Sequence, residues 1–153
     1  MSGQVSMFDV MFPDFKIDKP IRLIELFAGV GSQAMALRNI GADFEHYKIS
    51  EWEVSATASY KAIHMENDNT DYSLEIEIAK LPKILFDYGI SKDGKEPMTL
   101  EEIERKGEKW QRMVYNNLRA TNNLGSICNF KGGDLEIKET DKYNYILTYS
   151  FPC

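Results

Sequence analysis

The chain has 153 residues, of which 43% are apolar and 27% charged, and its formal net charge is −6. That length and composition give one folded unit with its own core and exclude a disordered or fibrous chain. The acidic balance disfavours broad nucleic-acid binding, which rests on Lys and Arg against phosphates, although a local basic patch stays compatible with it.

Residues 1–19 are a mixed lead-in that Pro13 and Pro20 keep irregular. IRLIELF at 21–27 reads as a short buried strand, and a glycine loop follows over 28–32. QAMALRNI at 33–40 suits a helix that Gly41 stops. FEHYKIS at 44–50 alternates as a second strand ending at Glu51. EVSATASYKAIH at 53–64 suits a second helix with Val54, Ala58 and Ala62 on one face. Strand, glycine loop, helix, strand, helix is a βαβ unit with parallel strands.

Residues 66–125 are richer in charge and carry apolar residues at helical spacing: Leu74, Ile78, Leu81 and Leu85, then Ile103, Trp110, Val114 and Leu118. They read as a helical insertion hung on the sheet, with a loop over 89–98 and a capping box of Thr99 and Glu102. SICNFKGGDLE at 126–136 reads as a short strand and turn, and YNYILTYS at 143–150 as the last strand. The expected class is α/β: a partial parallel sheet of about four strands with a helical insertion.

No apolar run approaches the roughly 20 residues that span a bilayer. The N-terminal MSGQVSMFDVMFPDF lacks a basic segment followed by an apolar core, so the expected compartment is the cytoplasm. Cys128 and Cys153 make no disulfide framework, and His46 and His64 offer no zinc-type spacing, so no metal is expected. Cys128 lies in an apolar stretch and reads as a buried structural thiol.

In ELFAGVGSQA at 25–34, Gly29, Gly31 and Ala34 match G-x-G-x-x-G/A directly after a strand and before a helix. Glu51 follows Gly31 by 20 residues. This order of elements reads as a nucleotide-binding fingerprint; the plain alternative is a tight turn that binds nothing. The glycines let a ligand approach the backbone, and Glu51 can accept hydrogen bonds from both hydroxyls of a ribose. Glu25 bears on which nucleotide is bound. A carboxylate beside the loop repels a pyrophosphate but favours a cofactor with an amino group and a sulfonium. That tilts the reading from NAD toward S-adenosylmethionine. Trp52 either lays its ring against an adenine or packs in the core. Asp134 is either a turn residue or a third contact, accepting from the adenine amine.

Taken in order, these stretches resemble the cytosine-5 DNA methyltransferases. ELFAGVGS at 25–32 is similar to the family's first motif, D-L-F-A-G-x-G-G, with Glu25 in place of Asp and Ser32 in place of the last glycine. SEWE at 50–53 is similar to the second motif, whose acidic residue, here Glu51, holds the ribose with Trp52 beside the adenine. GDL at 133–135 is similar to the third, and FPC at 151–153 to the Pro-Cys motif whose cysteine is the nucleophile. The resemblance covers residues 21–65 and about 126–153; residues 66–125 match no motif of the family. It implies a Rossmann-like S-adenosylmethionine-dependent methyltransferase fold. The implied cofactor contacts are Glu25, Phe27, Ala28, Gly29, Gly31, Ser32, Glu51, Trp52, Asp134 and Leu135. The implied reaction transfers a methyl group from S-adenosylmethionine to carbon 5 of cytosine in double-stranded DNA. The Cys153 thiolate, in a loop shaped by Pro152, adds to carbon 6 and makes carbon 5 enamine-like, on a base flipped out of the duplex.

The family's later motifs do not occur in these 153 residues: the glutamine after Pro-Cys, Glu-Asn-Val, the arginine-containing catalytic motif, the target-recognition region and the closing Asn-rich motif. The expectation is the N-terminal, cofactor-binding part of such an enzyme, spanning 1–153 and inactive on DNA alone. It is either a truncated chain or half of a split enzyme completed by a C-terminal chain. A terminal carboxylate beside Cys153 disfavours its thiolate, and the last strand, apolar from Tyr145 to Tyr149, leaves an edge wanting a partner. The alternatives are a non-catalytic S-adenosylmethionine-binding subunit or regulatory module, an NAD-binding oxidoreductase domain, and a small-molecule methyltransferase. The last leaves Phe-Pro-Cys unexplained.

Overall fold

The computed structural model describes residues 17–150. Among them the elements run β1 (Ile21–Leu26), α1 (Ser32–Asn39), β2 (Phe44–Ser50), α2 (Val54–His64), a 3-10 turn (Ile78–Lys80), α3 (Leu81–Asp87), α4 (Leu100–Glu104), α5 (Glu108–Ala120), a second 3-10 turn (Gly132–Leu135) and β3 (Asn144–Tyr149). The strands are parallel in the order β2-β1-β3. β1 is central because it is apolar on both faces, as a strand between crossover connections must be: Ile21, Leu23 and Ile24 are buried. β3 pairs with β1 from Ile21–Asn144 to Leu26–Tyr149. Among the described residues β3 is an outer strand of the sheet, and its Leu147 and Tyr149 are 45% and 59% exposed.

The stretch 126–136 is not a strand. Two successive glycines disfavour extended pairing. The Asp134 carboxylate accepts the Lys131 N–H at 2.7 Å and closes a turn that continues into the 3-10 segment. The contact with the sheet comes slightly earlier in the chain. Asn122 and Leu124 bracket Ile49 on the outer side of β2: Ile49 N–H donates to Asn122 C=O (3.4 Å) and Leu124 N–H to Ile49 C=O (2.9 Å). The described sheet therefore has three strands plus this single bridge.

Residues 66–125 are helical but not an appendage. Leu85, Ile90, Met98, Ile103, Val114 and Leu118 form one core cluster, against which Val54, Tyr88, Trp110 and Tyr115 pack. Each such side chain, fully buried, contributes roughly 1.5–3 kcal/mol of burial. Val54 belongs to α2, so this core is continuous with the βαβ unit. The first apolar set only half holds: Leu81 and Leu85 are buried, but Leu74 is 77% exposed and Ile78 is 39% exposed. The helix starts at Leu81 because Pro82 sits in its first turn, where a missing N–H costs nothing. A helix running from Leu74 would need that N–H. The capping box is present: Thr99 Oγ1 accepts from Glu102 N–H (3.2 Å), and Glu102 accepts from Thr99 N–H (2.9 Å).

Candidate functional site

The chain leaves β1 through a loop with three left-handed residues, Phe27 (φ 56°), Gly29 (φ 54°) and Gly31 (φ 82°). For a phenylalanine this is a sparsely populated conformation, of the kind that collects at binding sites. The loop is tied to the end of β2 by Ala28 N–H donating to Ser50 C=O (3.1 Å). Gly31 has no alternative residue. A Cβ there would lie 2.3 Å from His64 Nε2 and 2.7 Å from Tyr60 Cε2. Its glycine is what lets α2 pack directly against the loop.

Two carboxylates take up three backbone donors at and around this loop. Glu51, just past β2, accepts the Gly29 N–H on Oε2 (2.8 Å) and the Glu53 N–H on Oε1 (2.8 Å). A carboxylate offers about four lone-pair positions, so each oxygen keeps capacity for a ligand hydroxyl. Glu25 lies beneath the loop at 1% exposure. It accepts the Ala34 N–H, in the first turn of α1, on Oε1 (3.2 Å) and the Tyr60 hydroxyl on Oε2 (2.6 Å). Burial pushes its pKa upward, and the two donated hydrogen bonds oppose that rise.

The Tyr60 hydroxyl spends its one hydrogen on Glu25, so it accepts from His46 Nδ1 at 2.7 Å, which makes His46 the Nδ1–H tautomer. His64 Nε2–H donates to Val30 C=O (3.0 Å), and its Nδ1 accepts from Arg38 (2.9 Å). Both imidazoles are held neutral. Burial, with His64 and Arg38 nearby, lowers the His46 pKa to about 4, and burial lowers that of His64. Burial and the Glu25 carboxylate push the Tyr60 hydroxyl pKa well upward. This buried set supports the loop from below.

Above the loop lies a cavity of about 530 Å³, within the range of small-molecule sites. Phe27, Gly29, Ser50, Glu51, Trp52 and Glu53 line it from the ends of β1 and β2. Gly94, residues 125–128 and Ser150 complete it. Both sides of the sheet centre thus meet at the carboxyl ends of the strands, where ligands of doubly wound sheets bind.

Of the residues singled out from the sequence, Phe27, Gly29, Glu51 and Trp52 line this cavity together. Glu25, Ala28 and Gly31 are buried and do not line it, and Ser32 opens α1 in an exposed position. Asp134 is exposed, engaged with Lys131, and neither it nor the buried Leu135 lines the cavity. Phe151, Pro152 and Cys153 lie outside the described residues. Cys128 is exposed and lines the cavity instead of being buried. Gly125, in a left-handed turn at φ 76°, diverts the chain before Cys128, so its apolar neighbours do not form a buried strand. No group of His, Cys, Asp and Glu among the described residues could hold a metal ion. Sequence reasoning missed Tyr60, Asn123 and the 91–97 loop. That loop is pinned to the site by Ser91 N–H donating to Trp52 C=O (2.7 Å) and Val54 N–H donating to Ser91 C=O (3.0 Å).

The fold and cavity define a Rossmann-like domain of the methyltransferase type. The family model for C-5 cytosine-specific DNA methylase matches residues 21–90, which hold the glycine loop, Glu51 and Trp52. The chain is similar to this family over those 70 of its 153 residues. It is 33% identical over 140 residues to the orphan methyltransferase M.SssI of Spiroplasma monobiae, a match covering 88% of this chain and 34% of that protein. It is 31% identical over 137 residues to the type II methyltransferase M2.ScrFI of Lactococcus lactis subsp. cremoris, covering 87% and 35%. A shorter match, 48% over 44 residues, joins it to the orphan methyltransferase M.SPBetaI of Bacillus phage SPbeta, covering 29% of this chain and 10% of that protein. The chain spans about a third of the length of the first two relatives. Matches over 88% and 87% of the chain include most of residues 66–125, so the helical segment is shared with these relatives although it carries no family motif.

Proposed function

We propose that this chain is the cofactor-binding part of a DNA (cytosine-5-)-methyltransferase, and that its cavity takes S-adenosylmethionine. The observation that carries the reading is Glu51. It is a carboxylate at the carboxyl end of β2, oriented by two backbone amides and opening with Trp52 onto a ligand-sized cavity. Glu51 would accept the two ribose hydroxyls, and Trp52 with Ile127 would give the adenine apolar walls. Two of the amides that a pyrophosphate would want, Gly29 N–H and Ala34 N–H, already serve carboxylates, which favours a cationic cofactor over NAD. S-adenosylmethionine supplies, when bound, an electrophilic methyl group. Asp134 and Leu135 take part only through a rearrangement of the 3-10 turn, and Glu25 acts from beneath the loop.

The substrate in this reading is cytosine in double-stranded DNA, and Cys153 is the nucleophile that adds to carbon 6 of the flipped base. With a net charge of −6, the surface that grips the phosphates is supplied largely by other protein, such as a complementing C-terminal chain. No helix among the described residues is long and apolar enough to cross a membrane. Ultraviolet cross-linking of methyl-tritiated S-adenosylmethionine to the purified chain tests the cofactor assignment. Labelling that S-adenosylhomocysteine suppresses and NAD does not is the expected result; labelling that NAD suppresses would sink it.

A further inference from the structure

Residues 66–125 carry no motif, yet their last turn reaches the centre of the site. Asn123 is 3% exposed. Its side-chain oxygen accepts from Glu51 N–H (3.1 Å) and Gly125 N–H (2.8 Å), and its side-chain nitrogen donates to Glu51 C=O (2.8 Å) and Thr57 Oγ1 (3.1 Å). All four hydrogen-bonding capacities of the amide are filled. Two of them read the backbone of a single residue, one through its N–H and one through its C=O. That residue lies where the sheet can no longer hold it. The β1–β2 ladder ends at Leu26–Ser50, so the main chain of Glu51 takes its partners from Asn123 instead of a strand. Asn123 is itself fixed to β2 by the backbone bonds on either side of Ile49.

We infer that Asn123 is a positioning residue for Glu51: it clamps the Glu51 main chain so that the carboxylate stays bridged between Gly29 and Glu53 and faces the cavity. The inference rests on Glu51 being the ribose-binding carboxylate. It also gives the helical segment a role in the site. An amide is required at position 123, because an aspartate would lose both donors and set a second negative charge beside Glu51.

The test is a double-mutant cycle on the whole chain, reading the Kd of S-adenosylhomocysteine by titration calorimetry, with thermal unfolding followed in parallel. Asn123→Ala should weaken binding by about 10-fold, or about 1.4 kcal/mol, and by less than about 2-fold more when Glu51 is already Gln. The full 10-fold loss persisting in the Glu51→Gln background would overturn the inference, because Asn123 would then act independently of Glu51. Should Asn123→Ala fail to fold, Thr57→Ala, which removes one of the four bonds, carries the test. A loss of about 3-fold that depends on Glu51 supports the role, and no loss overturns it. If Glu51→Gln leaves affinity unchanged, the reading of the cavity fails. If Glu51→Gln weakens binding and Asn123→Ala does not, only the positioning role fails.

Discussion

Replacing Tyr60 by Phe removes one oxygen and leaves the ring in place, so no cavity opens. The oxygen is the shared partner of two buried groups: it donates to Glu25 at 2.6 Å and accepts from His46 at 2.7 Å. A hydrogen bond to a charged group contributes about 1.5–3 kcal/mol, and an orphaned buried donor costs about 1 kcal/mol or more. The expected loss is about 3 kcal/mol. At about 2–4 °C per kcal/mol for a domain of this size, Tm falls by about 10 °C. The loss must also depend on pH. Burial raises the folded-state pKa of Glu25 above its unfolded value. Its contribution to stability is therefore complete below the unfolded pKa and is lost as pH rises through the folded pKa. Tyr60→Phe removes a donor that favours the carboxylate, so it raises that pKa further and deepens the loss on the alkaline side. Urea unfolding of both proteins at pH 6 and pH 8.5 is the assay. A difference below about 0.5 kcal/mol, within the range of inert substitutions, or one larger at pH 6 than at pH 8.5, would refute the argument that this hydroxyl supports the buried carboxylate.

Two glycines of the loop should respond differently to Ala. At Gly31 the new Cβ meets His64 and Tyr60 at 2.3 and 2.7 Å, whereas at Gly29 nothing lies within 4 Å. Gly31→Ala should cost about 3 kcal/mol and Gly29→Ala about 1 kcal/mol in chemical unfolding, and equal losses would contradict the packing described. Thr99→Ala should cost about 1 kcal/mol through the lost capping box, and Thr99→Ser almost nothing. His46 is held neutral with its pKa lowered to about 4, so the stability it contributes is present above its unfolded value of about 6.5. That stability is lost as pH falls from there toward 4, by an amount of about 1–2 kcal/mol after allowance for its partial exposure. An NMR titration showing the His46 ring protonating near pH 6.5 would contradict this.

The βαβ order, the glycine loop, the Gly41 stop and the Thr99–Glu102 box were legible because each is written in a few adjacent residues. Glu51 was legible from its distance to Gly31. Asn123 was not, because its partner lies 72 positions away and no local pattern marks a side-chain amide that reads another residue's backbone. Tyr60 was hidden for a related reason. Hydrophobic periodicity put Val54, Ala58 and Ala62 on the inner face of α2, whereas Thr57 and Tyr60 are the buried residues. Both are chosen for a hydroxyl: Thr57 serves Asn123 and Tyr60 serves Glu25. Cys128 was misread because apolar neighbours signal a buried strand only if the backbone continues straight, and Gly125 turns it.

Titration of the chain with S-adenosylmethionine, and separately with NAD, followed by calorimetry, tests the central claim most directly. The account predicts one-site binding of S-adenosylmethionine that Glu51→Gln weakens by about 10-fold or more, the scale of one lost charged hydrogen bond, and no binding of NAD at the same concentrations. Folded chain that binds NAD and ignores S-adenosylmethionine would contradict it.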